Sequence, residues 1–468
     1  MYCTCFYSIP SNGGLTVLSV IVQIILGILG LSIVVLIHEG GHYIASRIAG
    51  IEVETFSIGF GRRIAGFKKG RTDYRISLIP LGGYCRFHGE QSFRKAIEEK
   101  LDYIPGNQGE FYNASPFKRI FVSFSGPLAN LFFAVIVFTF ISWIGFQEYY
   151  TEPKVILASN WSEDNKLWPA DTAGIESGDY IVSVDGKDVG KFNELRRLLV
   201  FRPGETIRLT VNRKGRLIPL VIKPELDKES GTAIIGVLNW IDPLIAEITP
   251  GSAASDDGFL PGDRILSVNG IKTAHTVAFY NTLTRLNGND ISIQVERNGL
   301  KVNLPVKRAE EISSGITFQV ISGRSVKLNF YQALAKGFNE TYDNLYSTVK
   351  GLRMLFMGIE LQNAVSGPVR LISDTGAVVA EGFKNGIGAG FLWSFELMSL
   401  ISVSLAFINL LPIPVLDGGQ IVLFLYEIIR RKNLNPKLVY RYQFIGTIIV
   451  LIIAVAATTG DMIHFNSR

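Results

Sequence analysis

The sequence predicts an α-helical, polytopic membrane protein with about four transmembrane helices, two tandem α+β domains and a β-region. Two observations carry this prediction. Apolar residues make up 47% of the 468-residue chain, a high share for a soluble protein, and they concentrate in four long runs. In addition, a block of roughly forty residues in the middle of the chain recurs at a constant offset, which indicates an internal duplication.

The four apolar runs are candidates for transmembrane helices. The first, 15–37, has 23 residues without a charge. As a helix it would extend about 35 Å, enough to cross a bilayer core of about 30 Å. A cleaved signal peptide is the alternative, but the run lacks a basic amino-terminal region and a small-residue cleavage site. The other runs are 120–143, 388–411 and 444–458.

The distribution of basic residues predicts the orientation of these spans. The segment 47–119 holds 13 Lys and Arg against 8 Asp and Glu, and 412–441 holds five against two. Loops rich in Lys and Arg stay on the cytoplasmic side, so the long segment between the second and third spans is expected on the outer side. The net charge of +5 is not accompanied by a basic helix or an aromatic-basic array. We therefore expect no nucleic-acid partner.

The duplicated block lies in that outer segment. "ESGDYIVSVDGKDV", from Glu176, aligns with "LPGDRILSVNGIKT", from Leu260, at an offset of 84 residues. Each copy predicts a strand, a tight Asp-Gly or Asn-Gly turn, a helical stretch and a hairpin. The pattern resembles the PDZ domain. This resemblance implies a groove that takes an extended peptide by strand addition, and a purely steric role is the alternative.

The first apolar run ends in a motif that predicts a metal site. In "HEGGH", His38 and His42 are four residues apart, which places both imidazoles on one face of a helix, as two ligands of zinc require. Glu39 is the residue that acts as general base in H-E-x-x-H sites. Ionisable groups at the edge of a membrane span are costly and therefore indicate function. Gly40 and Gly41 are unusual here, since two glycines weaken a helical turn by roughly 1 to 2 kcal/mol relative to alanine.

A catalytic zinc needs a third protein ligand, and the best candidate is Asp417. It lies in "NLLPIPVLDGG", 409–419, at the inner end of the third run and on the same predicted side as HEGGH. Pro412 and Pro414 cannot continue a regular helix, which at membrane depth is tolerated only in a protein interior or a wet cavity. Asp417 as a simple cap of the following helix is the alternative.

The combined motifs resemble the site-2 intramembrane metalloproteases, and within them the bacterial regulated-proteolysis branch. HEGGH, "SGPLANLFFA" (125–134), the PDZ-like pair, "SGPVRLI" (366–372) and "FINLLPIPVLDGG" carry this resemblance over almost the whole chain. It implies a Zn²⁺ cofactor with ligands His38, His42 and Asp417, and Glu39 as general base. It also implies that Asn409 helps to hold the substrate or the oxyanion, and we assign Pro412 and Pro414 to substrate binding together with it.

The segment "DYRISLIPLGGYCRF", 73–87, predicts a strand or hairpin after the first span. A substrate helix must unwind before its carbonyls can be attacked, and its backbone then needs new hydrogen-bond partners. The resemblance implies a membrane-associated β-region that clamps the substrate as a strand. We therefore assign Gly82, Gly83 and Tyr84 to substrate binding, with an ordinary cytoplasmic hairpin as the alternative.

The predicted organisation follows from these assignments. An amphipathic helix between the repeats and the third span is expected to lie at the membrane surface. The segments are a tail with the first span (1–47), a cytoplasmic loop with the β-hairpin (48–119), the second span (120–146), PDZ-like domains 1 and 2 (147–226 and 227–310), the amphipathic helix and linker (311–387), the third span with its motif (388–420), and a cytoplasmic segment, fourth span and tail (421–468).

The predicted function is intramembrane zinc endopeptidase activity in regulated proteolysis. The resemblance implies single-span membrane substrates, such as a trimmed anti-sigma factor and remnant signal peptides, and a site in the bacterial inner membrane with the PDZ-like domains in the periplasm. The rival hypothesis is a non-catalytic membrane adaptor whose PDZ-like domains bind peptides and whose metal is structural. A closed fourth ligand would mark that case, and no fourth His or Cys is evident near either motif.

Overall fold

A computed structural model describes residues 17–466 except 162–165, 229–230, 287–290, 307–311, 313–314, 356, 358–366 and 385. The described chain forms two compact units. Residues 147–325 form one, here called the repeat unit, and 17–146 together with 326–466 form the other, here called the helical unit. The predicted tail before residue 17 and Ser366 of the SGPVRLI motif lie outside the described residues.

The first half of the helical unit is two long helices with a β-hairpin and a short helix between them. Its elements are α1 (Val17–Ala49), β1 (Val53–Lys69), β2 (Thr72–Phe87), α2 (Glu90–Glu98) and α3 (Pro116–Ile144). Both long helices exceed the apolar runs from which they were predicted, because α1 continues through HEGGH and α3 begins at a proline in its first turn.

The β1/β2 hairpin folds back on itself. Phe56, Ser57 and Ile58 of β1 each pair with two parts of β2, once within 74–76 and once within 83–85. The far half of β1 pairs with 72–77. The sheet therefore has four segments side by side, in the order 63–69, 72–77, 53–58 and 83–87. The last of these lies at one edge of the sheet and pairs with a single neighbouring segment, 53–58.

The repeat unit consists of short strands and helices, and it contains two similar four-stranded sheets. Its elements are β3 (Gln147–Tyr150), β4 (Val155–Leu157), α4 (Pro169–Thr172), β5 (Tyr180–Val184), β6 (Lys187–Asp188), α5 (Phe192–Leu199), β7 (Ile207–Arg213), β8 (Arg216–Ile222), β9 (Glu225–Asp227), β10 (Thr232–Ile234), β11 (Val237–Asn239), β12 (Ile245–Ile248), α6 (Ala253–Asp256), β13 (Arg264–Val268), β14 (Ile271–Lys272), α7 (Thr276–Leu286), β15 (Ile291–Arg297), β16 (Leu300–Val306), β17 (Ile316–Phe318) and β18 (Ile321–Arg324).

The duplication seen in the sequence is also a duplication of structure. One four-stranded antiparallel sheet has the order β6-β5-β7-β8 and the other β14-β13-β15-β16. Each copy buries one aspartate that receives an arginine from the third strand of its sheet. The Asp179–Arg213 and Asp263–Arg297 ion pairs both measure 2.7 Å. Residues 84 positions apart therefore make equivalent contacts in the two copies, in addition to being similar in type.

Each copy also contains a pair of strands outside its four-stranded sheet. Val237–Asn239 (β11) lies beyond residue 226, where the sequence ends the first predicted domain, yet it pairs with Val155–Leu157 (β4). In the second copy, β12 pairs with β17. The strands β3 and β18, at the two ends of the unit, pair with each other, with Tyr150 opposite Ile321. The chain thus enters and leaves the repeat unit at adjacent points.

In the second half of the helical unit, the residues that the structure describes form five helices. They are α8 (Phe330–Leu355), α9 (Pro368–Lys384), α10 (Ile387–Asn409), α11 (Asp417–Arg430) and α12 (Pro436–Asn466). Among the described residues, four helical stretches are long and apolar enough to cross a membrane: Val20–Ala49, Pro116–Ile144, Ile387–Asn409 and Pro436–Met462. They correspond to the four predicted runs, and the architecture is that of a membrane protein.

The amphipathic helix α8 packs along α3. The backbone N–H of Leu328, just before α8, bonds to the carbonyl of Ser142. Further along, Gly337 touches Thr139, and Leu345 packs against the cluster around Ala134. The helices α8 and α3 are therefore antiparallel. The packing of α8 on α3 is thus established, whereas its predicted position at the membrane surface stays a prediction.

A buried ion pair joins α3 to α11. Arg119 donates from Nη2 to both carboxylate oxygens of Glu427, at 2.9 and 2.8 Å. Its Nε donates to the carbonyl of Ala114 at 3.0 Å, and its guanidinium stacks over the ring of Phe424. Both charged side chains are buried, so each would be unfavourable there without the other.

Candidate metal centre

The helix α1 brings two imidazoles to one point. His38 and His42 are buried, and their Nε2 atoms are 3.2 Å apart. The spacing of four residues places them on one helical face, as the sequence predicted. Val122 of α3 orients the second ring, since its carbonyl oxygen lies 2.8 Å from His42 Nδ1. A carbonyl only accepts hydrogen bonds, so the proton of neutral His42 is on Nδ1 and its Nε2 carries a free lone pair.

The third side chain close to these imidazoles is that of Asp417, which lies 379 residues after His38 in the sequence. Its Oδ2 lies 3.1 Å from His38 Nε2 and 3.4 Å from His42 Nε2. Asp417 is the first residue of α11, and the residue that precedes the helix is Leu416, which makes no side-chain cap. The carboxylate is therefore directed at the imidazoles and does not cap the helix.

These three atoms fit a zinc ion. Tetrahedral ligands at 2.0 to 2.1 Å from zinc are about 3.3 to 3.4 Å apart, and the three separations here are 3.1, 3.2 and 3.4 Å. Asp417 Oδ2 is also a buried atom without a hydrogen-bond partner in the described part of the chain. Converging lone pairs repel one another unless a cation lies between them. Two imidazoles and one carboxylate are a donor set that suits zinc.

The helix α3 forms the wall behind the imidazoles. A Cβ placed on Gly126 would come within 2.4 Å of His42 Nε2 and 2.9 Å of His38 Cε1. The fully buried side-chain amide of Asn130 lies 3.3 Å from His38 Nδ1. The amide atom that faces the ring is Nδ2, and the buried Oδ1 has no hydrogen-bond partner among the described residues. Exchanging the two atoms by turning the amide over, an assignment that follows from the hydrogen-bond network, lets Oδ1 accept the Nδ1 proton and leaves His38 Nε2 free for a metal. The motif SGPLAN does not by itself indicate these roles, although a polar Asn within an apolar span is a signal of function.

Glu39 faces the edge strand of the hairpin. Its carboxylate is within hydrogen-bonding reach of the backbone N–H of Cys85, and it is close to both imidazoles and to Asp417. It is not one of the three groups whose ligand atoms cluster. Burial, and after it the Glu39 carboxylate, raise the pKa of the Cys85 thiol. Among the described residues, the ligand atoms that cluster belong to His38, His42 and Asp417, and the Cys85 sulfur is not one of them.

The NLLPIPVLDGG segment brings Asn409 to the same point. Asn409 ends α10, and its Nδ2 lies 3.3 Å from His38 Nε2. The link to α11 is not helical: Val415 has a φ of 85°. Pro412 is exposed, whereas the carbonyl of Pro414 is so close to α12 that a Cβ on Gly446 would meet it at 2.1 Å. The two prolines therefore have different surroundings: Pro412 is exposed, and Pro414 is partly buried against α12.

The three hairpin residues assigned to substrate binding lie in β2, immediately before Cys85. Gly82 has a φ of 86° and lies between Phe60 and Val35 of α1. Gly83 faces the carbonyl of Ser57, and Tyr84 stacks on the ring of Phe60 at 5.9 Å. They therefore hold the start of the edge strand whose next residue approaches Glu39.

Comparison with known proteins agrees with this geometry. The sequence model of peptidase family M50 matches residues 26–453, which include all three clustered groups and Glu39. The chain belongs to peptidase family M50. This is the site-2 protease family that the motifs resembled, and the predicted family is confirmed.

Relatives of this M50 chain align along nearly their whole length. A protein of Treponema pallidum named "Putative zinc metalloprotease" is 33% identical over 94% of this chain and 99% of its own. The "Regulator of sigma E protease" of Haemophilus influenzae is 29% identical over 93% and 98%. "Regulator of sigma-E protease RseP" of Escherichia coli is 28% identical over 93% and 97%. The chain is accordingly a zinc metalloprotease of the site-2 type.

Proposed function

We propose that this protease hydrolyses peptide bonds within or beside the single transmembrane helix of its substrates, with His38, His42 and Asp417 as zinc ligands. The convergence of three ligand atoms from α1 and α11 carries the proposal, because α1 is a candidate span and the substrate bond must come to that depth. A bound zinc supplies a Lewis acid that polarises the scissile carbonyl and makes water more acidic.

Glu39 is the general base in this proposal. Its neighbour in the sequence, His38, is a ligand, so the carboxylate stands beside the metal position without joining the cluster. It takes a proton from the attacking water and delivers it to the leaving amine. The backbone N–H of Cys85 holds the carboxylate from the hairpin side. The Asn409 amide, 3.3 Å from His38 Nε2, is positioned to donate to the substrate carbonyl as it gains negative charge.

The edge strand 83–87 receives the substrate. A cleavable bond must leave its helix, and an unpaired backbone group in an apolar site costs several kcal/mol. Pairing with an edge strand offsets that cost, as in other complexes formed by strand addition. Gly82, Gly83 and Tyr84 shape the start of this edge, and exposed Pro412 lines the approach from the α11 side.

The repeat unit selects substrates by size or by a bound peptide. Its two copies resemble PDZ domains, and we place them on the periplasmic side of the bacterial inner membrane on the basis of the basic residues in 47–119 and 412–441. The substrates we propose are membrane-anchored regulators, such as an anti-sigma factor already trimmed outside, and remnant signal peptides. Two relatives are named "Regulator of sigma E protease" and "Regulator of sigma-E protease RseP", and these names support this substrate class.

The test of catalysis compares wild type with Glu39→Gln, both purified in detergent. A tagged single-span substrate is offered to each, and bound zinc is quantified. We expect about one zinc per chain in both and cleavage by wild type alone. If both hold zinc and neither cuts any span offered, the adaptor hypothesis replaces the protease proposal.

The test of substrate selection uses a deletion that the strand pairing allows. Tyr150 of β3 and Ile321 of β18 pair directly with each other. Residues 151–320 can therefore be replaced by Asn-Gly, which favours a two-residue hairpin turn between the two strands. We expect the shortened protease to cut substrates whose outer domain is still present, which the full chain rejects. Unchanged rejection would show that the repeat unit is not the filter.

A further inference from the structure

One side of α1 is joined to the β1/β2 hairpin by polar contacts. There are three of them: Ser32 with Pro80, Glu39 with Cys85, and Tyr43 with Tyr74. Seven and four residues separate the α1 members of these pairs, so all three lie on one side of the helix. The imidazoles of His38 and His42 lie on another side, rotated by about 100°. The hairpin therefore contacts α1 on the side of the proposed general base.

The contacts at Tyr74 and Cys85 belong to one row of the sheet. In that row Phe67 pairs with Tyr74, Tyr74 with Phe56, and Phe56 with Cys85, so each of the four segments supplies one residue. Directly paired residues project from the same face of a sheet. The ring of Phe67 stacks on that of Tyr74 at 5.0 Å, and the ring of Phe56 lies 5.3 Å from that of Tyr43. Tyr43 and Cys85 are thus connected through adjacent members of the row.

The position of this row decides where the Glu39 carboxylate lies. The backbone N–H of Cys85, at the end of the row, donates to that carboxylate. A general base must lie within about 2.6 to 3.2 Å of the group whose proton it takes, and a displacement of about 1 Å can cost 100-fold in rate. Tyr43 follows Glu39 by four residues, about one helical turn, so its contact with Tyr74 ties the row to α1 directly beside the base.

We propose that the hydrogen bond between the Tyr43 and Tyr74 hydroxyls holds this row in register with α1, which makes both tyrosines positioning residues for Glu39. The inference rests on the proposed function of Glu39 as the base. Neither hydroxyl belongs to the cluster of metal-ligand atoms, so zinc binding does not depend on this hydrogen bond. The aromatic rings pack without it, so a change of Tyr to Phe removes the hydrogen bond and keeps the ring contacts.

The experiment compares wild type, Tyr43→Phe, Tyr74→Phe and the double variant, as full-length protein in detergent with a tagged single-span substrate. We expect each single change to lower kcat by about ten-fold with KM within about two-fold, because the backbone that pairs with the substrate is unchanged. The double variant should be no slower than either single variant, since both changes break the same hydrogen bond. The matched control is Tyr342→Phe, which removes an exposed hydroxyl from another stacked tyrosine pair and should keep the wild-type kcat.

A second readout does not need catalysis. Cys85 ends the row, so its rate of alkylation by N-ethylmaleimide, followed by mass spectrometry of the Cys85 peptide, reports whether the row stays in place. We expect Tyr43→Phe and Tyr74→Phe to react at least five-fold faster than wild type, Tyr342→Phe to react at the wild-type rate, and all variants to hold about one zinc.

The outcomes separate this inference from the proposed function. Wild-type kcat in both single variants, or a loss in the double variant equal to the product of the two single losses, would overturn the positioning role of Tyr43 and Tyr74 while leaving the protease proposal intact. Failure of the proposed function would appear as absence of cleavage by wild type. In that case the alkylation rates alone decide whether the two hydroxyls hold the row, and equal rates in wild type and both variants would overturn it.

Discussion

Gly41 of α1 lies against the carbonyl of Ser125 in α3, so closely that a Cβ on Gly41 would stand 2.4 Å from that oxygen. The next residue of α1, His42, is held by the carbonyl of Val122 from the same helix. The close approach at Gly41 therefore allows α3 to orient the His42 imidazole, one of the three proposed zinc ligands. Gly40, by contrast, has nothing within 4 Å of the corresponding position.

The first prediction contrasts these two glycines. Gly41→Ala should separate α1 from α3 and weaken zinc retention at least ten-fold, because backbone on both sides resists the added methyl. Gly40→Ala should keep the full zinc content and raise helix stability by up to about 1 kcal/mol. Zinc remaining after dialysis against a graded chelator measures both. Equal retention in the two variants would contradict the packing argument.

The second prediction concerns Asn130 and the tautomer of His38. Asn130→Leu removes the group that accepts the Nδ1 proton, and loss of such a partner typically lowers metal affinity 10- to 100-fold. Asn130→Asp keeps an acceptor of the same shape and should retain much of the affinity. Competition with a chelator gives the affinities without any need for activity. If Leu and Asp variants bind zinc equally well, the Asn130 amide does not set the tautomer.

The third prediction concerns the Arg119–Glu427 ion pair. Glu427→Ala leaves a buried, unpaired guanidinium and should lower the free energy of unfolding by about 3 to 5 kcal/mol. Replacing both residues by apolar ones, Arg119→Met with Glu427→Leu, should recover most of that loss. Thermal unfolding in one detergent compares the variants. A loss below about 1 kcal/mol in the single variant would mean that water reaches the pair.

The fourth prediction uses the duplication as its own control. Asp179→Asn and Asp263→Asn break equivalent ion pairs, each with a buried carboxylate, and should each cost about 1.5 to 3 kcal/mol locally. Hydrogen exchange should accelerate in β5 and β7 for the first variant and in β13 and β15 for the second. Acceleration in both sheets from a single substitution would instead indicate that the two copies unfold together.

Much of the metal centre was predictable because its chemistry restricts residue types. Two imidazoles four residues apart and a carboxylate in a helix-breaking segment are recognisable without coordinates, and the structure brings His38, His42 and Asp417 within 3.4 Å of one another. Asn409 also lies beside them. The roles of Asn130 and Gly126 were not predictable, since a helix sequence does not reveal which neighbour its polar or small residues meet.

Packing contacts add to two sequence interpretations. Gly40 and Gly41 both read as weaknesses of a helical turn, yet only Gly41 meets a neighbouring backbone. The amphipathic pattern of α8 predicts a helix at the membrane surface, and this stays a prediction. The structure adds that Gly337 and Leu345 of α8 contact α3, while Phe338 and Tyr342 remain exposed.

The sequence by itself determined the four apolar helices, the 84-residue duplication and the three side chains that we propose as zinc ligands, because hydropathy, periodicity and ligand chemistry are properties of residues and their local spacing. Only the tertiary structure decided that α3 stands behind the imidazoles, that 53–87 folds into four segments with its edge at Glu39, and that β3 meets β18. These features depend on contacts between residues far apart in the chain, where backbone approach and shape complementarity select one partner among many.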